Sequence, residues 1–222
     1  MKKGLLLTIL LCLSMLLSGC SNKTRNFTDI YKVKIETNIS TSGGSYKISI
    51  NSNIKKSDNS YYADVNLSQS NSTYKLHYYY TNGKLYEDDS ELKSFTTANS
   101  RQAEQAMFLF NTRFPISSKS NTIKSSSELD GLNGLKLNPN VVKNSLDAYI
   151  KSALRFSDLN LKNLKYDKVL LSDAKENEKI LYFTANDKKQ GVTVKYKYTI
   201  NIGREDGNTV TTPSDLDSYF KK

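Results

Sequence analysis

The feature that most constrains the fold is a long alternation of apolar and polar residues near the C-terminus. Successive side chains of a β-strand point to opposite faces of its sheet, so a period of two predicts a strand with one buried face. A register slip of one residue would expose every apolar side chain, and we therefore predict a strongly specified central strand. The apolar positions of this stretch are Val192, Val194, Tyr196, Tyr198, Ile200 and Ile202.

The N-terminal half of the chain repeats the same period and predicts five strands. Gly43-Gly44 and Asn82-Gly83 separate alternating runs, and Asn-Gly favours a two-residue hairpin turn because both residues tolerate positive φ. We also expect strands over Leu164–Leu171, around Tyr182 and at Val210. One apolar face per strand is typical of an antiparallel sheet that is covered on one side. The apolar positions of the five N-terminal strands include Tyr31, Val33, Ile35, Tyr46, Ile48, Ile50, Ala63, Val65, Leu67, Tyr74, Leu76, Tyr78, Tyr80, Leu85 and Tyr86.

Helical spacing occurs in the middle of the sequence. Asn138-Pro139 places a capping residue before a proline at the first helical position, and predicts a helix of about 16 residues. A second helix is predicted between Ser100 and Pro115, followed by a serine-rich loop from Ser117 to Glu128 and, after Pro213, a short terminal helix. The predicted class is α+β, with an antiparallel sheet forming an incomplete barrel and helices packed on its concave face. The predicted apolar helix positions are Ala103, Ala106, Met107, Phe110, Val142, Leu146, Tyr149, Ile150 and Ala153.

The N-terminus has the features of an export signal. Lys2 and Lys3 precede an apolar run from Leu5 to Leu17, which is shorter than the roughly 20 residues that a membrane span requires. The run ends in Leu17-Ser18-Gly19-Cys20, which resembles the lipobox of bacterial lipoproteins at every position. That resemblance implies a diacylglyceryl group on Cys20 and signal cleavage between Gly19 and Cys20. An ordinary signal peptide with a cysteine near its cleavage site is the alternative.

The resemblance implies a protein anchored at the extracytoplasmic face of the cell membrane. Residues 1–19 would form the signal peptide, residues 20–27 a lipidated tether and residues 28–222 a single domain. Two acyl chains anchor a protein stably, whereas one does so marginally. Because Cys12 leaves with the signal, the mature chain has no cysteine besides Cys20, which excludes disulfides and thiol catalysis.

Charge gives little information about partners. The whole chain carries a formal charge of +10. Loss of two signal-peptide lysines leaves +8. A basic surface is attracted to an anionic membrane or cell wall. The lysines are scattered along the sequence, however, and compositional bias explains their excess better than a partner does. We expect no nucleic-acid partner.

The order of elements over residues 28–220 is similar to that of the lipoprotein carriers of the Lol system and of the LppX-type mycobacterial lipoproteins. The residues carrying this resemblance are the hairpin from Tyr80 to Tyr86 and the closing segment from Tyr198 to Pro213. The resemblance implies a half-barrel whose cavity, between sheet and helices, accepts acyl chains.

Tyrosine-rich apolar positions are the candidate ligand contacts, since a ring with a polar tip suits an amphipathic ligand. For any single ring, however, core packing is favoured over ligand contact. His77, the only histidine, is expected at the surface on the polar face, and the acidic run Glu87–Glu91 is read as a solvated turn, lacking the spacing of a calcium loop. No metal or cofactor is expected. The candidate cavity residues are Tyr46, Tyr74, Tyr78, Tyr80, Met107, Phe110 and Tyr149.

The sequence favours a binding protein over an enzyme. It contains no Gly-x-Ser-x-Gly elbow, no His-Glu-x-x-His motif and no free thiol in the mature chain. The leading hypothesis is a lipoprotein that binds a hydrophobic or amphipathic envelope molecule in its half-barrel. The alternative is an accessory, immunity or exclusion lipoprotein that binds another protein and has no small-molecule ligand.

Overall fold

A computed structural model defines the fold for residues 30–55, 60–69, 72–89, 91–97, 120–154, 161, 163–172, 178–202, 210 and 212–221. The signal peptide, Gly19, Cys20 and the tether lie outside these described residues, as do Met107, Phe110 and the helix predicted between Ser100 and Pro115. Among the described residues, no helix is long and apolar enough to cross a membrane.

The architecture is one open antiparallel sheet built from two meanders. The first six strands follow chain order and the next five run back in reverse, so that β1 and β11 pair at the junction. The last strand returns to the far edge and pairs in parallel with β6. The strands are β1 (Ile30–Thr41), β2 (Gly44–Lys55), β3 (Ser60–Gln69), β4 (Ser72–Thr81), β5 (Lys84–Asp89), β6 (Lys93–Thr97), β7 (Ser120–Ser126), β8 (Leu132–Leu137), β9 (Lys165–Ser172), β10 (Glu178–Asp187), β11 (Val192–Ile202) and β12 (Phe220–Lys221).

The main core lies on one face of this sheet, which we call the core face. The long alternation of β11 lies at the centre of the sheet, as predicted, and its apolar side chains from Val192 to Ile200 are buried. Helix α1 (Pro139–Leu154) covers part of the core face, with Val142, Leu146 and Ile150 in the core. Its predicted start is confirmed: the Asn140 amide donates to the Asn138 side-chain oxygen over 3.0 Å.

The hairpin predicted at Asn82-Gly83 is also confirmed. Asn82 and Gly83 have φ values of 48° and 73°, the two positive angles that a type I′ turn requires. The turn fixes the register of β4 against β5, in which Tyr79 faces Tyr86. The hairpin therefore sets which side chains of these two strands share a face.

Four short strands escaped sequence analysis, β8 among them. The segment predicted as a serine-rich loop contains β7, which pairs with β8 through backbone hydrogen bonds, and these do not require apolar side chains. β6 was missed as well. Val210 lies outside any strand, the last strand being β12, and the terminal helix is only a 3-10 turn over Leu216–Ser218.

The sequence predicts a sheet that is covered on one side only, but parts of the opposite face are covered as well. Two smaller apolar clusters lie on it, one at each end. At the β7 end the cluster contains Leu129, Leu170 and Ile180. At the β6 end Tyr79, Tyr86 and Tyr219 are buried together. The first cluster is covered by the turn that carries Leu129, and the second by the C-terminal segment that carries Tyr219.

Candidate functional site

The candidate tyrosines of β2 and β4 share the core face. Strand register places Ile48, Leu67 and Tyr74 in one row across β2, β3 and β4. Two rows further along β4, Tyr78 lies opposite Ala63, and Tyr80 follows opposite Tyr61. Tyr46 and Tyr78 pack against the main core as partly buried side chains. The alternation of the sequence thus brings these rings to a single surface.

Exposure on this surface increases along β4 toward its start. Tyr80 is buried and stacks on Tyr61, with ring centroids 5.5 Å apart. Leu76 and Tyr78 are partly buried, and Tyr74 is 68% exposed. We call the solvent-accessible end of this face, formed by Tyr46, Leu67, Tyr74 and Leu76, the tyrosine rim. The Tyr46 hydroxyl there accepts a hydrogen bond of 3.2 Å from the Gln69 side-chain amide.

Tyr149 has a different environment from the rim residues. It belongs to α1 and is 1% exposed, and its ring contacts Tyr196 and Tyr198 of β11 at centroid distances of 6.0 and 5.5 Å. Burial raises the pKa of both Tyr149 and Tyr196 well above the usual tyrosine value. In this conformation Tyr149 is part of the packed core.

A second candidate binding surface lies on the opposite face of the sheet, across β3 to β6. There the register aligns four rings in one row: Tyr62, Tyr79, Tyr86 and Phe95. Neighbouring centroids are 6.0 Å apart between Tyr79 and Tyr86, and 5.6 Å apart between Tyr86 and Phe95. The strands place an aromatic row here because residues directly opposite one another in paired strands share a face.

The adjacent row on the same face is charged. It runs Asp64, His77, Asp88, Lys93 across the same four strands. His77 Nδ1 lies 2.5 Å from Asp64 Oδ1 and 3.1 Å from the Tyr62 hydroxyl. His77 is on the polar face, as predicted, and its side chain is 43% exposed. It is nevertheless held between an acid and a phenol.

The C-terminal segment completes this surface. The Tyr219 ring meets Tyr86 edge-on with centroids 5.4 Å apart, and the Tyr79 and Thr212 hydroxyls are 3.0 Å apart. Lys93 forms an ion pair with Asp215 and also lies 3.7 Å from Asp88. Between the segment and the sheet is an open pocket of about 390 Å³, which we call the aromatic pocket.

The electrostatics of the aromatic pocket follow from burial and from its carboxylates. Burial, reinforced by Asp64, raises the pKa of Tyr62 to about 12. Burial, reinforced by Asp88, raises the pKa of Tyr219 to about 12. The hydrogen bond between Lys93 and Asp215 raises the pKa of the lysine and lowers that of the acid. All four groups therefore keep their usual protonation states near neutral pH.

Of the residues that line this pocket, sequence analysis singled out Tyr78 as a candidate ligand contact and His77 as a surface residue. The available signal was the recurrence of rings at Tyr62 and Tyr79 on positions that the alternation assigns to the polar face. Asp88 belongs to the acidic run predicted as a solvated turn, and lies instead in β5. Within the described residues, no three His, Cys, Asp or Glu side chains are arranged to hold a metal ion.

These features define an open antiparallel-sheet protein with one exposed tyrosine rim and one aromatic pocket. The sequence matches no protein-family model, and no curated protein matches it.

Similar solved structures include two at 10% identity. The ywiB protein from Bacillus subtilis aligns over 79% of this chain and 93% of its own, with a TM-score of 0.23. A DUF1329 family protein from Desulfovibrio piger ATCC 29098 aligns over 83% of this chain and 89% of its own, with a TM-score of 0.30. At these TM-scores neither similarity supports an inference about ligand or activity.

Proposed function

We infer that the chain is an extracytoplasmic lipoprotein, anchored to the cell membrane through Cys20, whose domain binds a hydrophobic or amphipathic envelope molecule. The observation that supports this best is the tyrosine rim. Most proteins cover the apolar face of a sheet, and a contiguous exposed apolar patch marks a binding surface. Here Tyr74 is 68% exposed on the face that buries Ile50 and Val65.

The rim suits an amphipathic ligand because its apolar and polar groups are close together. Leu67 and Leu76 offer aliphatic contacts, while Tyr46 and Tyr74 add rings that end in hydroxyls. The rim is continuous with the core, so an acyl chain could extend from it along the sheet. Such a ligand would occupy the concave side of an incomplete barrel, next to the region that α1 covers.

The proposal includes no catalytic step. His77 has an acid and a phenol as neighbours, and no serine or cysteine of the described residues forms a hydrogen bond with it. A carboxylate beside a histidine is also a common structural pair. We therefore assign the protein to binding rather than to chemistry, with the membrane as its anchor and no nucleic-acid partner.

A fluorescence titration tests the role of the rim. The domain from Ser21 onward, purified without detergent, is titrated with 1-N-phenylnaphthylamine, a fluorophore that brightens in apolar sites. Covering about 40 Å² of the Tyr74 ring contributes about 1 kcal/mol, so Tyr74→Ser should weaken binding about fivefold.

Val141→Ser is the matched control, because Val141 is 59% exposed on α1 and outside the rim. We expect the control to bind as the unmodified domain does. If the two variants bound the fluorophore with equal affinity, the tyrosine rim would not be part of the binding site.

The alternative, a lipoprotein that binds another protein, is favoured by the polar part of the opposite face. Across β1, β2 and β11, the exposed side chains there include Lys32, Lys34, Lys47 and Lys195. Lys34 pairs with Glu36 on this face, and the remaining lysines make it a basic surface that suits an acidic protein surface. Crosslinking in cells separates the two functions, since a reproducible protein adduct in a domain that carries no lipid would support the alternative.

A further inference from the structure

The aromatic pocket has the size and the walls of a small-molecule site. Its volume of about 390 Å³ lies within the range of ordinary ligand pockets, roughly 300–1,000 Å³. Tyr62, Tyr79 and Tyr219 line it with ring surface, and Asp88 and Asp215 add carboxylates. It lies on the face opposite the tyrosine rim, so its ligand is independent of the envelope molecule proposed above.

The charge balance of the pocket is negative although the chain is basic. Two carboxylates of its lining, Asp88 and Asp215, lie beside the ammonium group of Lys93. A third carboxylate, that of Asp64, contacts His77 of the lining. The balance stays negative whether or not His77 carries a proton. The side chains of Asp64 and Asp215 are 42% and 44% exposed, and that of Asp88 is 27% exposed. The three carboxylates are thus accessible to solvent, and those of Asp88 and Asp215 belong to the pocket lining.

An ammonium group of the protein itself contacts three residues of the pocket lining, Asp88, Asp215 and Tyr219. Lys93 Nζ lies 5.7 Å from the centroid of the Tyr219 ring, a distance at which a cation is attracted to the ring face, and it pairs with Asp215. Its contact with Asp88 is longer, at 3.7 Å. Asp88 Oδ2 also accepts a 3.3 Å hydrogen bond from Tyr219, while Asp88 Oδ1 has no partner among the described residues.

We propose that the aromatic pocket binds a small organic ammonium ion, an amine with an apolar body. Its ammonium group pairs with Asp88 Oδ1, and its body packs on the rings of Tyr62, Tyr79 and Tyr219. Neutral ligands gain the ring contacts alone, and anions are repelled by the three carboxylates. Two further lysines, Lys75 and Lys84, lie one row away on either side and outside the pocket lining.

Isothermal titration calorimetry on the full chain in phosphatidylcholine nanodiscs tests this assignment, with empty nanodiscs as the blank. The probes are phenethylammonium and its neutral analogue 2-phenylethanol. Loss of an exposed ion pair costs up to about 1 kcal/mol, so we expect the alcohol to bind about fivefold more weakly. Equal affinities for the two probes, or the absence of any binding by phenethylammonium, would overturn the proposal.

Two variants separate the carboxylate from general loss of charge. Asp88→Asn keeps the shape of the side chain and should weaken phenethylammonium binding about fivefold. Asp217→Asn removes the same charge from an exposed carboxylate outside the pocket lining, and should leave the affinity unchanged. The proposal is overturned if the two variants bind equally well.

Salt dependence gives a readout that requires no variant. Raising the ionic strength from about 0.01 M to about 1 M shortens the Debye length from about 30 Å to about 3 Å. Phenethylammonium should lose affinity over this range while 2-phenylethanol does not. A salt-independent affinity for the amine would contradict recognition by charge.

Discussion

Gly134 is the position at which the fold should tolerate a single methyl group least. It lies in β8, opposite Ser172 of β9 and next to Ile123 of β7. A Cβ atom there would come within 2.5 Å of Leu129 Cδ1 and within 2.5 Å of the Leu171 carbonyl oxygen. Leu129 is fully buried and the carbonyl belongs to a paired strand, so neither can move aside freely.

Gly134→Ala is therefore an overpacking mutation, and such mutations cost about 1–3 kcal/mol. In a protein of this length each kcal/mol lowers the melting temperature by roughly 2–4 °C, giving an expected loss of about 2–12 °C. Urea unfolding followed by far-UV circular dichroism measures the change in the free energy of unfolding directly.

Gly43→Ala is the matched control. A Cβ atom at Gly43 would meet Thr41 Oγ1 at 3.8 Å, an ordinary contact. We expect this variant to unfold near the wild-type urea concentration. If Gly134→Ala also unfolded near the wild-type urea concentration, the close approach of Leu129 and Leu171 would not limit the size of the side chain at position 134.

Three further changes have expected outcomes. Thr37→Val should raise the free energy of unfolding by about 1 kcal/mol, because the buried Thr37 hydroxyl opposite Tyr196 has no hydrogen-bond partner in the part of the chain that the structure describes; a less stable variant in urea unfolding would refute this. Hydrogen bonds, first from Lys168, lower the pKa of Glu128 from 4.5 to about 2. The ionised Glu128 therefore adds to the free energy of unfolding above the unfolded-state pKa, and this stabilisation is lost as the pH falls from about 4.5 to about 2. Glu128→Gln should thus cost up to about 1 kcal/mol at pH 7 and nothing near pH 2, and a cost independent of pH in urea titrations would contradict it. Cys20→Ser should abolish metabolic labelling with palmitate, whereas retained label would place the lipid elsewhere.

The elements that sequence analysis recovered are those whose side chains carry the pattern. β11 alternates without interruption, and α1 begins with a capping residue and a proline, so local chemistry alone determines both. β7 has Ile123 as its only apolar side chain. It forms because β8 offers backbone hydrogen bonds. Such pairing between strands cannot be read from the local sequence of β7.

The aromatic pocket was missed for a related reason. Alternation assigns Tyr79 to the face opposite Tyr78 and Tyr80, and that face was expected to meet water. Only strand register aligns Tyr79 with Tyr62 and Tyr86. Only the return of the chain to β6 brings Tyr219 over them. Contacts between residues more than a hundred positions apart cannot be derived from spacing within a strand.

The measurement that most directly tests ligand binding by the domain is native mass spectrometry. The domain from Ser21 onward would be purified without detergent from a bacterial host, and any bound molecule then extracted into organic solvent for identification. We expect a stoichiometric adduct with the mass of a lipid, reduced in Tyr74→Ser and unchanged in Val141→Ser. A bare protein mass, with no lipid in the extract, would contradict the proposed function.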